Sequence, residues 1–259
     1  MNTSKVVIVI PVHMPEPTAP EKISLSQTLS VLHKHPIVLM APLLLDVSWY
    51  LDYCSNKSNV TVERFDWYGY EAYSMLQTKS FFYKRFLNYE YMLTCHLDAF
   101  VFRDELDRWC DLGYDYIGSV IYNTNFVMKD TFFKVITTYT NPDYFGNGGF
   151  ALKKVRTFYN ITQRYKLYIG FYHWQRKIRH RGFYDDLFHS VHYPKIFPRF
   201  TMAPKHLAQQ FGADFVVFNE ADLPFSNTDC SSVPFGIHGW IKNQQAYWKP
   251  CIRSFGHDI

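Results

Sequence analysis

Charge is scarce in this chain. Asp, Glu, Lys and Arg together make 19% of its 259 residues, below the roughly 25% of an ordinary globular protein, and a chain that is also 47% apolar lacks the composition of disorder. Neither sign dominates. A count of 27 Lys and Arg against 23 Asp and Glu gives a net charge of +4, which suits an anionic ligand or membrane surface and is too small to require nucleic acid. Low-complexity tracts, internal repeats and linkers are missing, so the expected organisation is one domain over residues 1–259. Cysteine is limited to Cys54, Cys95, Cys110, Cys230 and Cys251. The number is odd, the spacing wide and CxxC absent, so neither a disulfide framework nor a zinc site is expected, and a reducing cytoplasm fits best. Long apolar runs are missing too. The run at residues 6–10 is too short for the core of a secretion signal, and no later stretch approaches the roughly 20 residues of a membrane span. The expectation is a soluble or membrane-peripheral protein.

Rings are what the chain has in excess. The 23 Phe, 20 Tyr and 6 Trp make 19% of the sequence, more than one core absorbs, so some are expected to line a site or an interface.

Residues 5–10 (KVVIVI) form a β-branched run closed by Pro11, the pattern of a strand buried on both faces of a parallel sheet. Residues 21–34 place Ile23, Leu25, Leu29 and Leu32 near helical spacing, and Pro36 separates them from a second apolar run at 37–41. Residues 60–65 alternate as a third strand, 70–87 carry one or two helices, and 89–97 make a fourth strand. The order βαβαβ points to a nucleotide-binding α/β sheet. Further on, 104–111 reads as a short helix, 114–121 as a strand, 155–178 as mainly helix, 185–191 as the start of another, and 215–218 as a short strand before an irregular tail.

Four places carry candidate chemistry. In His96-Leu97-Asp98-Ala99-Phe100 a strand runs straight into a carboxylate at its carboxyl end, where α/β sheets bind ligands. Asp98 there can hold a metal-bound diphosphate or a ribose, or it can cap the following helix, a role Asp104 fills better. Phe145-Gly146-Asn147-Gly148-Gly149-Phe150 predicts a tight turn or a close approach of ligand to backbone, at a spacing that is neither a P-loop nor GxGxxG. Asp185-Asp186 opens a helix, either as its cap or as a general base with a neighbour that holds the acceptor. His238, between Ile237 and Gly239, is a structural histidine or a ligand for metal or phosphate, and Lys249 can neutralise a diphosphate. The stretch 164–181 (RYKLYIGFYHWQRKIRHR) mixes six Arg and Lys with five aromatics. Its commonest meaning is a solvated helix face, and an anionic membrane or lipid diphosphate is the alternative.

In the order they occur, VIVIPV, HLDAFVFRDEL, GYDYIG, GNGGFAL and PFGIHGW resemble the core of GT-A fold glycosyltransferases, and together they look like a bacterial family of unknown function allied to those enzymes. The resemblance implies a GT-A-like (Rossmann-like) α/β fold. In it a mixed, mainly parallel central sheet is flanked by helices, and the C-terminal half is irregular. Residues 1–140 would form the nucleotide-binding half and 141–259 the acceptor-binding half. The resemblance further implies that Asp98 is the first position of a DxD motif and that Ala99 and Phe100 follow it. Phe100 stands where a second acid is expected, so use of a divalent cation (Mn or Mg) through Asp98 and His238 is left open. Pro11, Val12 and His13 would border the nucleobase; Lys79, Gly148, Gly149 and Lys249 would meet the donor, and Asn147, Asp185 and Trp240 the acceptor. Asp186 would be the base. The implied activity is transfer of a sugar from a nucleotide donor, UDP first, to a glycan or lipid-linked acceptor hydroxyl in bacterial surface polysaccharide synthesis, with inversion and no nucleic acid partner. Two other readings stay open: a non-catalytic nucleotide- or glycan-binding module, motivated by Phe100, and a metal-dependent phosphohydrolase built on Asp98, Asp185, Asp186 and His238.

Overall fold

The computed structural model describes residues 5–55, 57–121, 144–214, 230, 232–242 and 245–259. Its strands are β1 (Val6–Pro11), β2 (Ile37–Pro42), β3 (Val60–Phe65), β4 (Tyr91–Cys95), β5 (Phe100–Val101), β6 (Tyr116–Ile121), β7 (Gly146–Lys154), β8 (Gly212–Asp214) and β9 (Gly236–His238). The helices of the first part are α1 (Ala19–Val31), α2 (Ser48–Cys54), α3 (Gly69–Leu76), α4 (Ser80–Lys84) and α5 (Leu106–Asp111). They are followed by α6 (Val155–Arg164), α7 (Lys166–Ile178), α8 (Asp185–Ile196), α9 (Lys205–Phe211) and α10 (Gln245–Ser254).

These strands make one sheet in the order β3-β2-β1-β4-β7-β6-β8-β9-β5. The strands from β3 to β4 in this order are parallel neighbours. Continuous burial of β1 and β2 has a simple cause: alternate residues enter different cores. Val6, Ile8 and Ile10 pack with Leu25 and Leu29 of α1, Tyr50 of α2 and Trp109 of α5. Val7 and Val9 meet Leu76 of α3, Phe82 of α4, Phe158 of α6 and Phe188 of α8 on the other side. A third cluster joins Phe100, Phe102, Ile237, Trp240 and Trp248 at the far edge of the sheet.

The glycine run departs from the expected turn. Residues 146–149 open β7, which lies antiparallel between β4 and β6. Against β6 the register jumps from Gly118↔Ala151 to Ser119↔Asn147, so the residues between Asn147 and Ala151 form a bulge, a device that redirects a strand. Because β7 runs antiparallel to β4, its glycine end lies at the carboxyl ends of β1 and β4, and the His96 amide donates to the Gly149 carbonyl at 2.8 Å.

The tail is more regular than expected, for β9 and α10 lie within it. The expected strand at 215–218 and the division near residue 140 fall outside the described residues. Cys230 and Cys251 pair as a disulfide with Cα atoms 5.7 Å apart, a correction to the expectation of none. The two are brought together by α10 folding back toward the segment before β9, a tertiary return that their spacing does not announce. Among the described residues no helix is long and apolar enough to cross a membrane.

Candidate functional site

A cavity of about 650 Å³ opens at the carboxyl edge of the sheet, and its walls come from both halves of the chain. Pro11 ending β1 and His13 after it, Asp98 after β4, the bulge at Asn147, Gly148 and Gly149, Asp214 ending β8 and His238 ending β9 all line it. So do Asp185 and Asp186 at the start of α8. Aromatics of residues 67–73 complete one wall, with Trp67 and Tyr73 ring centroids 5.3 Å apart and Tyr70 5.9 Å from Tyr184. Part of the ring surplus is thus spent on the cavity.

One end of the cavity is an ion-paired cluster. The Asp98 carbonyl accepts from the Gly239 amide at 2.9 Å, which fastens the end of β9 to the turn after β4 and sets His238 Nε2 3.2 Å from Asp98 Oδ1. Its Nδ1 lies 3.6 Å from Asp214 Oδ2. Burial alone would discharge the His238 ring, but the Asp98 and Asp214 carboxylates outweigh it and hold the imidazole well above its usual pKa. Burial likewise pushes Asp98 up, and the facing His238 overrides it and lowers the carboxyl. His96, hydrogen-bonded to the Tyr73 hydroxyl at 2.7 Å, is pushed down to about 3 by burial and by His238, so it stays neutral. His96, Asp98 and His238 bring one ligand atom each within 4.8 Å of one another. Both ring nitrogens of His238 are screened from solvent, and each faces a carboxylate, Asp98 on one side and Asp214 on the other. Two imidazoles and a carboxylate suit a divalent cation. The tripod therefore fits a divalent ion despite Phe100, because His96 supplies the ligand that Phe100 does not.

The other end leans toward neutrality. Asp185 and Asp186 are both buried, and burial raises both carboxyls. Asp186, which also faces Asp185, is pushed up to about 7. Tyr184 holds the N-cap position of α8, so the pair sits one step inside the helix and does not cap it. Asp186 Oδ1 accepts from the Leu187 amide at 2.7 Å. Gly148 backs the pair closely enough that an added Cβ would lie 3.1 Å from Asp185 Oδ2. Beneath them the fully buried Lys153 donates from Nζ to Gln77 Oε1 at 2.9 Å. Burial pushes Lys153 down to about 8, and the two aspartates pull the other way. One buried ammonium thus faces two buried carboxyls.

Several sequence-chosen residues stand elsewhere. Val12 and Ala99 are core side chains. Phe100 and Trp240 are fully buried in the far-edge cluster, where the Trp240 indole donates to Ser24 Oγ at 2.9 Å. Lys79 is the N-cap of α4, where it adds to the burial that lowers the pKa of His173, and Lys249 lies on α10. None of these six is on the cavity wall, and Lys242 is the lysine that is. Sequence reasoning also passed over Asp214, Lys153 and the role of His96. Asp214 ends a three-residue strand too short to show a pattern. Lys153 had a usable signal: in β7 it shares a face with Gly149 and Ala151 by period two.

Solved structures share this architecture. Mouse xyloside xylosyltransferase 1 in its apo form has a TM-score of 0.55 at 10% identity, with 90% of this chain and 97% of that chain covered. Core-mannan synthase A from Aspergillus fumigatus, in its Mn/GDP form, has a TM-score of 0.51 at 11% identity over 73% of this chain and 69% of that one. The bifunctional glycosyltransferase WbbM, apo, has a TM-score of 0.53 at 15% identity; 93% of this chain matches 46% of that chain. No curated protein sequence matches. At these identities the likeness is one of fold, and the fold is the GT-A-like fold of glycosyltransferases. A family profile matches residues 59–238, which run from β3 to the histidine of the cavity, and the chain belongs to DUF5672, a family of proteins of unknown function.

Proposed function

We propose that this chain is a glycosyltransferase that moves a sugar from a nucleoside diphosphate donor to a hydroxyl of a glycan acceptor. One observation carries the reading: a single cavity holds an ion-paired Asp98–His238 cluster and, apart from it, a carboxyl pair raised toward neutral pH. Glycosyl transfer needs both, a place that stabilises the departing diphosphate and a group that takes the acceptor's proton.

His96, Asp98 and His238 would hold a divalent cation, which would neutralise the charge developing on the diphosphate. As a ligand His238 must be neutral, so loading would release a proton. Asp214 then remains on the ring's other nitrogen and orients it. Lys242 faces the same end. The acceptor oxygen attacks the anomeric carbon, the bond from that carbon to the phosphate oxygen breaks with its electron pair leaving on the diphosphate, and Asp186 receives the hydroxyl proton. A carboxyl with a pKa of about 7 suits a base at neutral pH. Attack opposite the leaving group inverts the anomeric centre. A product with the donor's configuration would remove Asp186 from that role. Trp67, Tyr70 and Tyr73 offer faces for a sugar or base to stack on.

Calorimetric titration with UDP, GDP and CMP, with and without manganese, tests the reading. Manganese-dependent binding of one nucleotide is expected, lost in Asp98→Asn and kept in Asp186→Asn. No binding of any of the three by folded protein would overturn the reading. Phosphate release from simple esters would point to a hydrolase, and binding without turnover of any sugar donor to a non-catalytic module.

A further inference from the structure

We propose that the outer face of α7 is a docking surface for an anionic phospholipid bilayer. The helix is apolar on both sides, and among the described residues only its inner side is packed against a partner. Ile169, Tyr172 and His173 face inward, with Tyr172 4.9 Å from the Phe188 ring of α8 and His173 4.4 Å from Phe183. On the opposite side Leu167 is 82% exposed, Phe171 54%, Trp174 56% and Ile178 52%. Steps of four, three and four residues align these side chains on one helical face. The Phe171 and Trp174 rings stack at 5.8 Å. Large apolar side chains scattered singly over a surface need no explanation, whereas four in a row mark a contact.

Charge decides what the contact is with. No Asp or Glu occurs from residue 155 to residue 184, while Arg164, Lys166 and Lys177 are exposed along the stripe and further arginines follow at 179 and 181. A second copy of this chain would set these cations against each other. A lipid surface of negative charge satisfies both components: the headgroups take the cations, and the aromatic ridge enters the boundary between headgroup and acyl chain, as in helices that lie in the membrane plane.

Docking there would orient the cavity. Arg176 Nε donates to the Gly182 carbonyl at 2.8 Å and the Arg181 amide to the Arg176 carbonyl at 3.0 Å, which ties the end of α7 to the segment leading into Tyr184 and Asp185. An acceptor held at the membrane would approach the carboxyl pair from that side. This consequence rests on the glycosyl-transfer reading; the docking does not.

Co-sedimentation with vesicles of phosphatidylcholine alone, and of phosphatidylcholine with about 30% phosphatidylglycerol, decides the matter without nucleotide present. The folded protein is expected to sediment with the anionic vesicles and not the neutral ones, to be released by high salt, and to bind at least about tenfold more weakly as Phe171→Ser/Trp174→Ser with an unchanged melting temperature. Failure to bind anionic vesicles, or equal binding by the double variant, would overturn the proposal. So would a concentration-dependent dimer that the double variant abolishes, which would assign the ridge to a second copy. A negative vesicle result leaves nucleotide titration untouched, and the reverse also holds, so the two readings fail separately.

Discussion

The two ends of the cavity use the same residue type in opposite ways. At Asp98 the carboxyl is held charged by an imidazole 3.2 Å away that it keeps charged in turn. At Asp185 and Asp186 two carboxyls share one buried lysine, so burial wins and Asp186 reaches about 7. Desolvation raises the carboxyl at both ends, and the partner decides the outcome: a matched cation fixes an ion, while a like-charged neighbour forbids one. On the proposed function, these opposed settings would separate a binding end from a proton-accepting end.

That contrast can be broken most directly at its neutral end. Asp186→Asn is expected to lower turnover by about a hundredfold to ten-thousandfold with nucleotide binding intact, as read by steady-state kinetics beside calorimetry; a variant with wild-type turnover would end the assignment. Phe100→Asp probes the charged end. An acid at residue 100 would enter the far-edge core and miss the cavity, so thermal denaturation should show a loss of about 4 kcal/mol and no gain in manganese affinity. Gly149→Ala attacks the same end more locally. An added Cβ would lie 2.0 Å from His238 Nε2, so the ring must turn away, and metal-dependent nucleotide affinity should fall about tenfold or more. The mildest test sharpens the comparison by pH. A base must be deprotonated, so the rate should rise about tenfold per pH unit below the Asp186 value of about 7 and level above it. Lys153→Met removes the buried cation that faces the pair, raises both carboxyls further, and should move that limb to higher pH by about one unit.

The parallel strands were readable in the sequence because burial on both faces leaves an unbroken apolar run, as at residues 6–10 and 37–41. Alternation marked β3 at 60–65 for the opposite reason, its half-exposed position at the sheet edge. α2 escaped notice because seven residues of mixed pattern carry no period, and α10 because Pro250 sits inside it. The glycines of residues 146–149 read as a turn since local preference favours one, yet pairing with β4 and β6 draws them into a strand. In the site, Asp98, Asp185, Asp186 and His238 stood out as chemical groups at the ends of elements. Asp214 and Lys153 acquire their meaning only from what folds against them. Lys79 and Lys249 were chosen by charge type, which carries no position in three dimensions; they lie off the cavity wall, and Lys242 lies on it.

The edge of the sheet has a consequence for how the chain reaches its native state. Phe100 pairs with Ile237, and Arg103 donates to the Val233 carbonyl across 130 residues, so the strand that delivers His238 docks through one of the longest loop closures in the molecule. Such contacts form late and open early. A partly folded chain would possess Asp98 without its counter-ion and, on the proposed function, would hold a diphosphate only poorly. Ligand would then do more than occupy a finished cavity: by binding only the closed form it would draw the last strand home, acting as a clasp on the fold.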